Sequence, residues 1–169
     1  MEAQLSEVST KKKKRPIKTI CFGFALLASA AFFIALAAYK DGVDEYWEGD
    51  YEKALSKLSQ EAEAGDAKAQ RYLGHLYYHG KGVSKDLATA FSHYLKAAGM
   101  GDLRAQNQIG FMYEDGLGTS QDLEKAHHWY SRSGHGGHSP AQFNLGLFYK
   151  YGKGSGGVDF EKAAQWFER

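Results

Sequence analysis

Apolar residues along residues 66–169 fall into two alternating helical patterns, and most positions return after 36 residues. In the first pattern Ala69, Leu73, Leu76 and Tyr77 lie at i, i+4, i+7 and i+8, one face of a helix. Ala105, Ile109, Met112 and Tyr113 repeat it, as do Ala141, Leu145, Phe148 and Tyr149. The second pattern is Ala90, Tyr94, Ala97 and Ala98, then Ala126 and Tyr130. Its third copy, Ala163 and Phe167, is offset by one because Gly156-Gly157 lengthens the preceding loop. Gly80-Lys81-Gly82, Gly116-Leu117-Gly118 and Gly152-Lys153-Gly154 separate the two patterns. Glycine suits the left-handed conformation that ends a helix. Asp86, Asp122 and Asp159 stand where N-caps of the second helices belong. Gly101 and Gly137 close the units, and Asp102 is placed to cap the next first helix. Ser139-Pro140 is expected to do the same in the third copy, with Pro at the first helical position.

A fixed period of this length predicts a solenoid of stacked helix pairs. Gly74, Gly110 and Gly146 recur inside the first helices. Each costs about 1 kcal/mol there relative to Ala, which predicts a neighbouring helix too close for a side chain. The register starts half a repeat early: Ala54, Leu58, Ala62 and Gly65 precede Ala90, Tyr94, Ala98 and Gly101 by 36 residues. Asp50 is the N-cap expected there, with Glu52 in the first turn. The chain therefore divides into a partial repeat over 42–65 and repeats over 66–101, 102–137 and 138–169, the last incomplete.

The N-terminal part follows another pattern. Residues 19–39 carry no charge, and about 20 apolar residues suffice for a transmembrane helix. Before them, residues 1–18 hold the cluster Lys11-Lys12-Lys13-Lys14-Arg15 and read as a disordered basic tail. After them come Lys40, Asp41, Asp44, Glu45 and Glu48. Positive charge on the N-terminal flank predicts a cytoplasmic N-terminus and extracytoplasmic repeats, as in a bacterial inner membrane facing the periplasm. Two outcomes stay open for 19–39. It is a retained signal anchor, or a signal peptide cut after Ala35-Leu36-Ala37, although its apolar run is longer than most.

Charge sharpens the division. Residues 1–40 have seven Lys or Arg against two Asp or Glu, whereas residues 41–169 have fourteen against eighteen. A mildly acidic repeat region lacks the basic footprint of a nucleic-acid binder. The single Cys, Cys21, lies in the apolar run, so no disulfide joins the repeats and no cysteine nucleophile serves them.

The pattern Ala-x-x-x-Leu-Gly-x-x-Tyr-x-x-Gly-x-Gly, followed by Asp-x-x-x-Ala-x-x-Trp-Tyr, resembles the Sel-1-like repeat, a relative of the tetratricopeptide repeat. Asp122 to Tyr130 and Asp159 to Phe167 carry the second half closely, while the first copy has His93 at the Trp position. The resemblance covers about residues 42–169. It implies an all-α fold, an α/α solenoid of antiparallel helix pairs in a right-handed superhelix. It also implies a non-enzymatic adaptor or scaffold that binds protein partners. A cysteine-rich branch of the family has been linked to β-lactam binding or hydrolysis, but it uses paired cysteines that these repeats lack. The third copy stops soon after Trp166 and Phe167, which fits a fragment of a longer array, or an end covered by a partner or another copy.

Candidate chemistry adds little. His75 and His79 have a zinc-compatible i, i+4 spacing, and His127-His128 and His135-x-x-His138 add imidazoles, but no third ligand recurs with them. The Gly-x-Gly segments follow helices rather than strands, so they lack the context of a phosphate loop. No metal, cofactor or catalytic set is expected. The residues opposite the apolar stripe of the first helices are Arg71, His75 and Tyr78, then Asn107, Phe111 and Glu114, then Phe143, Leu147 and Lys150. In tetratricopeptide-like solenoids this face lines the concave surface that binds partners. These nine residues either form a partner-binding strip there or pack on the neighbouring repeat.

Overall fold

The computed structural model describes residues 40–154 and 156–169. Among them, eight helices form one compact unit. They are α1 (Gly42–Glu48), α2 (Tyr51–Glu63), α3 (Ala67–His79), α4 (Leu87–Gly99), α5 (Leu103–Asp115), α6 (Leu123–His135), α7 (Ser139–Lys150) and α8 (Phe160–Phe167). Each helix packs on the next in sequence, giving the pairs α1–α2, α3–α4, α5–α6 and α7–α8. This is the expected α/α solenoid.

Aspartates begin seven of these helices. The Asp41, Asp50, Asp66, Asp86, Asp102, Asp122 and Asp159 carboxylates each accept a hydrogen bond from a backbone N–H of the first turn. An N-cap acceptor of this kind satisfies a donor that has no intrahelical partner. The third first-helix departs from the sequence expectation. Ser139 is already helical, the N-cap is His138, and no side chain caps it. The His138 carbonyl accepts from Ala141 and Gln142 instead, and Pro140 has no N–H to satisfy.

The core runs through the pairs at most of the periodic positions, but Tyr77, Tyr113 and Tyr149 at the ends of the first stripes are only half-buried and Phe167 is 44% exposed. Ala69, Leu73, Leu76, Ala105, Ile109, Met112, Ala141, Leu145 and Phe148 are buried on the first helices. Ala54, Leu58, Ala90, Tyr94, Ala126, Tyr130 and Ala163 are buried on the second. The internal glycines are explained by a ring rather than by helix backbone. A β-carbon on Gly74 would lie 2.9 Å from the Tyr94 ring, and one on Gly110 would lie 2.7 Å from the Tyr130 ring. Phe167 covers Gly146 in the same way. At the start of the unit Leu58, which stands where Tyr94 and Tyr130 stand, covers Gly42. α1 is thus a shortened first helix, and the partial repeat over 42–65 is a complete helix pair with a short turn.

The two loop glycines do different things. Gly80 and Gly116 end α3 and α5 in the left-handed conformation, as expected. Gly82 and Gly118 instead press on the preceding repeat, where a β-carbon would meet the Tyr51 backbone or the Leu87 carbonyl. They are inter-repeat contacts.

Among the described residues no helix is long and apolar enough to cross a membrane. The basic tail at 1–18 and the apolar run at 19–39, on which the anchor expectation rests, lie outside the described residues.

Candidate partner-binding face

The nine residues of the predicted strip sit on α3, α5 and α7, as expected, but five of them reach onto a neighbouring repeat. Arg71 donates from Nε to Asp102 Oδ2 at 2.9 Å, and its guanidinium lies 4.6 Å from the Tyr72 ring centre. His75 Nδ1 pairs with the Tyr46 hydroxyl at 2.8 Å. Asn107 Oδ1 accepts from Asn144 Nδ2 at 2.9 Å. Phe111 is half-buried against the cluster of Ala126, Tyr130, Leu145 and Phe148. Glu114 accepts from the Tyr130 hydroxyl at 2.8 Å and pairs with Lys153.

The other four are freer. Tyr78 is half-buried beside the cluster built around Tyr94, Ile109 and Met112. Leu147 is half-buried, and Lys150 is exposed. Phe143 is 56% exposed, with its ring 5.6 Å from that of Phe167. Phe143 occupies the position of Arg71 and Asn107, which bond to the following repeat.

The electrostatics of this face follow from burial. The His75 imidazole is pushed down to about 4 from 6.5, mainly by burial, with His79, Lys81 and Arg71 adding repulsion. The His79 ring centre is 4.2 Å away, and Lys81 donates to the Tyr46 hydroxyl that His75 also contacts. The folded chain therefore keeps His75 neutral while the unfolded chain takes up a proton below its ordinary pKa. A depressed histidine pKa adds stability that is full above that value and lost as pH falls toward the folded-state pKa. Urea midpoints are expected to fall between pH of about 6.5 and about 4, less steeply in His75→Gln than in the wild type.

Among the described residues no group of three or more His, Cys, Asp or Glu side chains converges as a metal site would require. His127 and His128 diverge in their contacts: the first bonds Tyr149 and the second packs edge-on to Trp129.

One polar device escaped the sequence reading. Gln70, Gln106 and Gln142 each donate from Nε2 to a carbonyl at the end of the preceding second helix, Ala62, Ala98 or Gly134, at 3.1–3.3 Å. Each of those carbonyls also accepts the backbone N–H of Gly65, Gly101 or Gly137 in the turn that follows, so the glutamine uses its second lone pair and fastens one repeat to the previous one. The signal was present as Ala-Gln at 69–70, 105–106 and 141–142. It also explains His93: its Nδ1 lies 2.8 Å from Gln70 Oε1. In the next repeat Trp129 takes that place, and Gln106 Oε1 is buried without a partner.

Successive helix pairs, fastened repeat to repeat by period-matched side chains, define an α/α-repeat solenoid with a preformed surface. The Sel1 repeat model matches residues 67–102, 103–138 and 139–169, one residue later than the sequence division. The chain belongs to the Sel1 repeat family. No curated protein matches it. Among solved structures, a Sel1 repeat protein from Oxalobacter formigenes is 32% identical with a TM-score of 0.71, covering 75% of this chain and 52% of its own. A protective antigen present in uropathogenic Escherichia coli strains, displaying an SLR fold, is 34% identical with a TM-score of 0.68. That match covers 74% of this chain and 28% of the antigen. Cysteine rich protein B of Helicobacter pylori is 29% identical with a TM-score of 0.51, over 53% of this chain and 67% of that one. The chain thus spans about half of the first of these proteins and less of the second.

Proposed function

We propose that this chain is a membrane-anchored adaptor that holds a protein partner on the first-helix face, on the extracytoplasmic side. One observation carries the reading. The outward side chains of α3, α5 and α7 are tied across repeats by Arg71–Asp102, Asn107–Asn144 and Glu114–Lys153. A surface held in one arrangement before binding loses less side-chain entropy on association. Phe143 and Lys150, with the half-buried Tyr78 and Leu147, are the side chains of the face left accessible for a partner. Residues 19–39 supply the anchor, and their basic N-terminal flank supports the orientation.

The test is quantitative capture from membranes with the full chain and with Leu147→Ser/Lys150→Glu. The variant is expected to keep the unfolding midpoint within a few degrees and to lose the partner that the wild type retains. Equal recovery of every partner would refute the face. Carbonate extraction and the mass of the mature N-terminus test the anchor separately: release into the supernatant, or a chain starting after Ala37, would overturn it.

A further inference from the structure

The three junctions between a Gly-x-Gly loop and the preceding second helix are not alike. Gly82 presses on Tyr51 and Gly118 on Leu87, the first residues of α2 and α4. The third loop, lengthened by Gly156-Gly157, stands off from Leu123, the first residue of α6. A β-carbon on Gly154 would have Phe148 at 3.2 Å and Glu124 Oε1 at 3.4 Å as its nearest neighbours. A cavity of about 210 Å³ opens there, bounded by α6, α7, α8 and the loop. Its lining includes His127, Phe148, Tyr149, Lys153, Lys162 and Glu124.

The lining changes chemistry as well as shape. At the previous junction Phe91 packs edge-on to Tyr113, with ring centres 5.1 Å apart. At this one His127 takes the same pose on Tyr149, at 5.5 Å, and its Nε2 lies 2.9 Å from the Tyr149 hydroxyl. An imidazole replaces a phenyl where a pocket replaces a contact. Burial holds the His127 pKa below its ordinary value, so at neutral pH it is an uncharged hydrogen-bonding group.

We propose that this cavity binds a small oxyanion, a phosphate or a carboxylate group. The Lys153 and Lys162 ammonium groups supply charge, and the His127–Tyr149 pair supplies directed hydrogen bonding. Two ammonium groups face one carboxylate, Glu124, across the lining. Each lysine already has an anionic neighbour outside it: Lys153 pairs with Glu114, and Lys162 lies 3.1 Å from Asp159. Those lysine side chains are 39% and 57% exposed. Glu114 is only 17% exposed, so Lys153 stays on it and lends its charge from there; the Lys162–Asp159 pair, with Asp159 31% exposed, is held weakly, and the Lys162 ammonium can turn to a ligand. Phe148 gives the cavity an apolar wall, which leaves the oxyanion fewer competing waters.

The experiment is isothermal titration calorimetry of the full chain with inorganic phosphate and, in a second arm, with succinate, at low ionic strength. Single-site binding is expected in at least one arm, and the arm that responds identifies the oxyanion. Lys162→Gln is expected to weaken it about tenfold. His127→Phe, which restores the side chain of the preceding junction, is expected to weaken it as much. Lys125→Gln, at the matching lysine of the preceding junction, is expected to change nothing. Circular dichroism on each variant establishes that it is folded, and Lys162→Gln decides alone if His127→Phe is not. No heat in either arm at millimolar ligand, or equal affinity in all variants, overturns the proposal.

Discussion

Gly118→Ala is expected to cost the chain about 3 kcal/mol or more, the largest loss of any glycine substitution among the interior repeats. Two penalties add. Gly118 has a φ of 71°, and a side chain in the left-handed region costs about 1–2 kcal/mol. Its β-carbon would also collide with the Leu87 carbonyl group and lie 2.9 Å from the Ala88 nitrogen. Those are backbone atoms of the first turn of α4, which cannot rotate aside, and overpacking of this kind costs about 1–3 kcal/mol. Three other glycines calibrate the result. Gly101→Ala has a φ of 95° and open space around it, so only the conformational penalty of about 1–2 kcal/mol applies. Gly110→Ala gains about 1 kcal/mol of helix propensity but drives a β-carbon into the buried Tyr130 ring, for a net loss of about 1 kcal/mol. Gly99→Ala, at the end of α4 with nothing nearby, should stabilise by about 0.5 kcal/mol. Urea titrations of the four variants rank them. If Gly118→Ala proved no worse than Gly101→Ala, the loop would not press on α4.

What could be read in the sequence is what repeats. Helix starts at Asp86, Asp122 and Asp159, the buried stripes and the close approach at Gly74, Gly110 and Gly146 each occur three times in register, so one physical reason accounts for three observations. The reading failed where the register breaks. Gly42 was invisible because only 16 residues separate it from Leu58, whereas 20 separate Gly74 from Tyr94. The short turn at Gly49-Asp50 shifts the first helix out of phase. Analogy with Asp102 predicts a cap at Ser139, but Pro140 alters which N–H groups need an acceptor.

The binding face was harder for a different reason. Helical angles told which side of α3 Arg71, His75 and Tyr78 occupy, but not whether the next repeat covers that side. Coverage depends on the stacking offset between pairs, and no spacing within one helix encodes it. The same offset makes the outward residues that vary between copies, such as Arg71 and Asn107, into fasteners. Arg71 reaches Asp102 and Asn107 reaches Asn144, partners at different positions of the following repeat. The third loop shows the converse: one added residue leaves the helices in place and opens a cavity.

Asp102→Ala tests how far those fasteners set cooperativity, and it is expected to cost about 3 kcal/mol. Asp102 accepts from the Ala105 N–H at 2.8 Å as the N-cap of α5, and from Arg71 Nε of the previous repeat. Losing a cap costs about 1 kcal/mol. The Arg71–Asp102 side chains are only 16% and 15% exposed, so removing the carboxylate strands a guanidinium that water reaches poorly. A fully buried pair broken in this way costs about 3–5 kcal/mol, and partial exposure reduces that to about 2. Asp102→Asn separates the two, because the amide oxygen still caps while the charge is gone. It should lose about 2 kcal/mol. In a solenoid, stability is a sum of repeat and junction contributions, so a weakened junction lets the two sides open separately. Hydrogen exchange of Asp102→Ala should therefore show residues 42–99 and 103–167 opening with different free energies, where the wild type opens as one unit. A single opening free energy in both proteins, with the stability loss spread evenly, would mean that the α4–α5 packing and the Gln106 bond couple the repeats without Asp102.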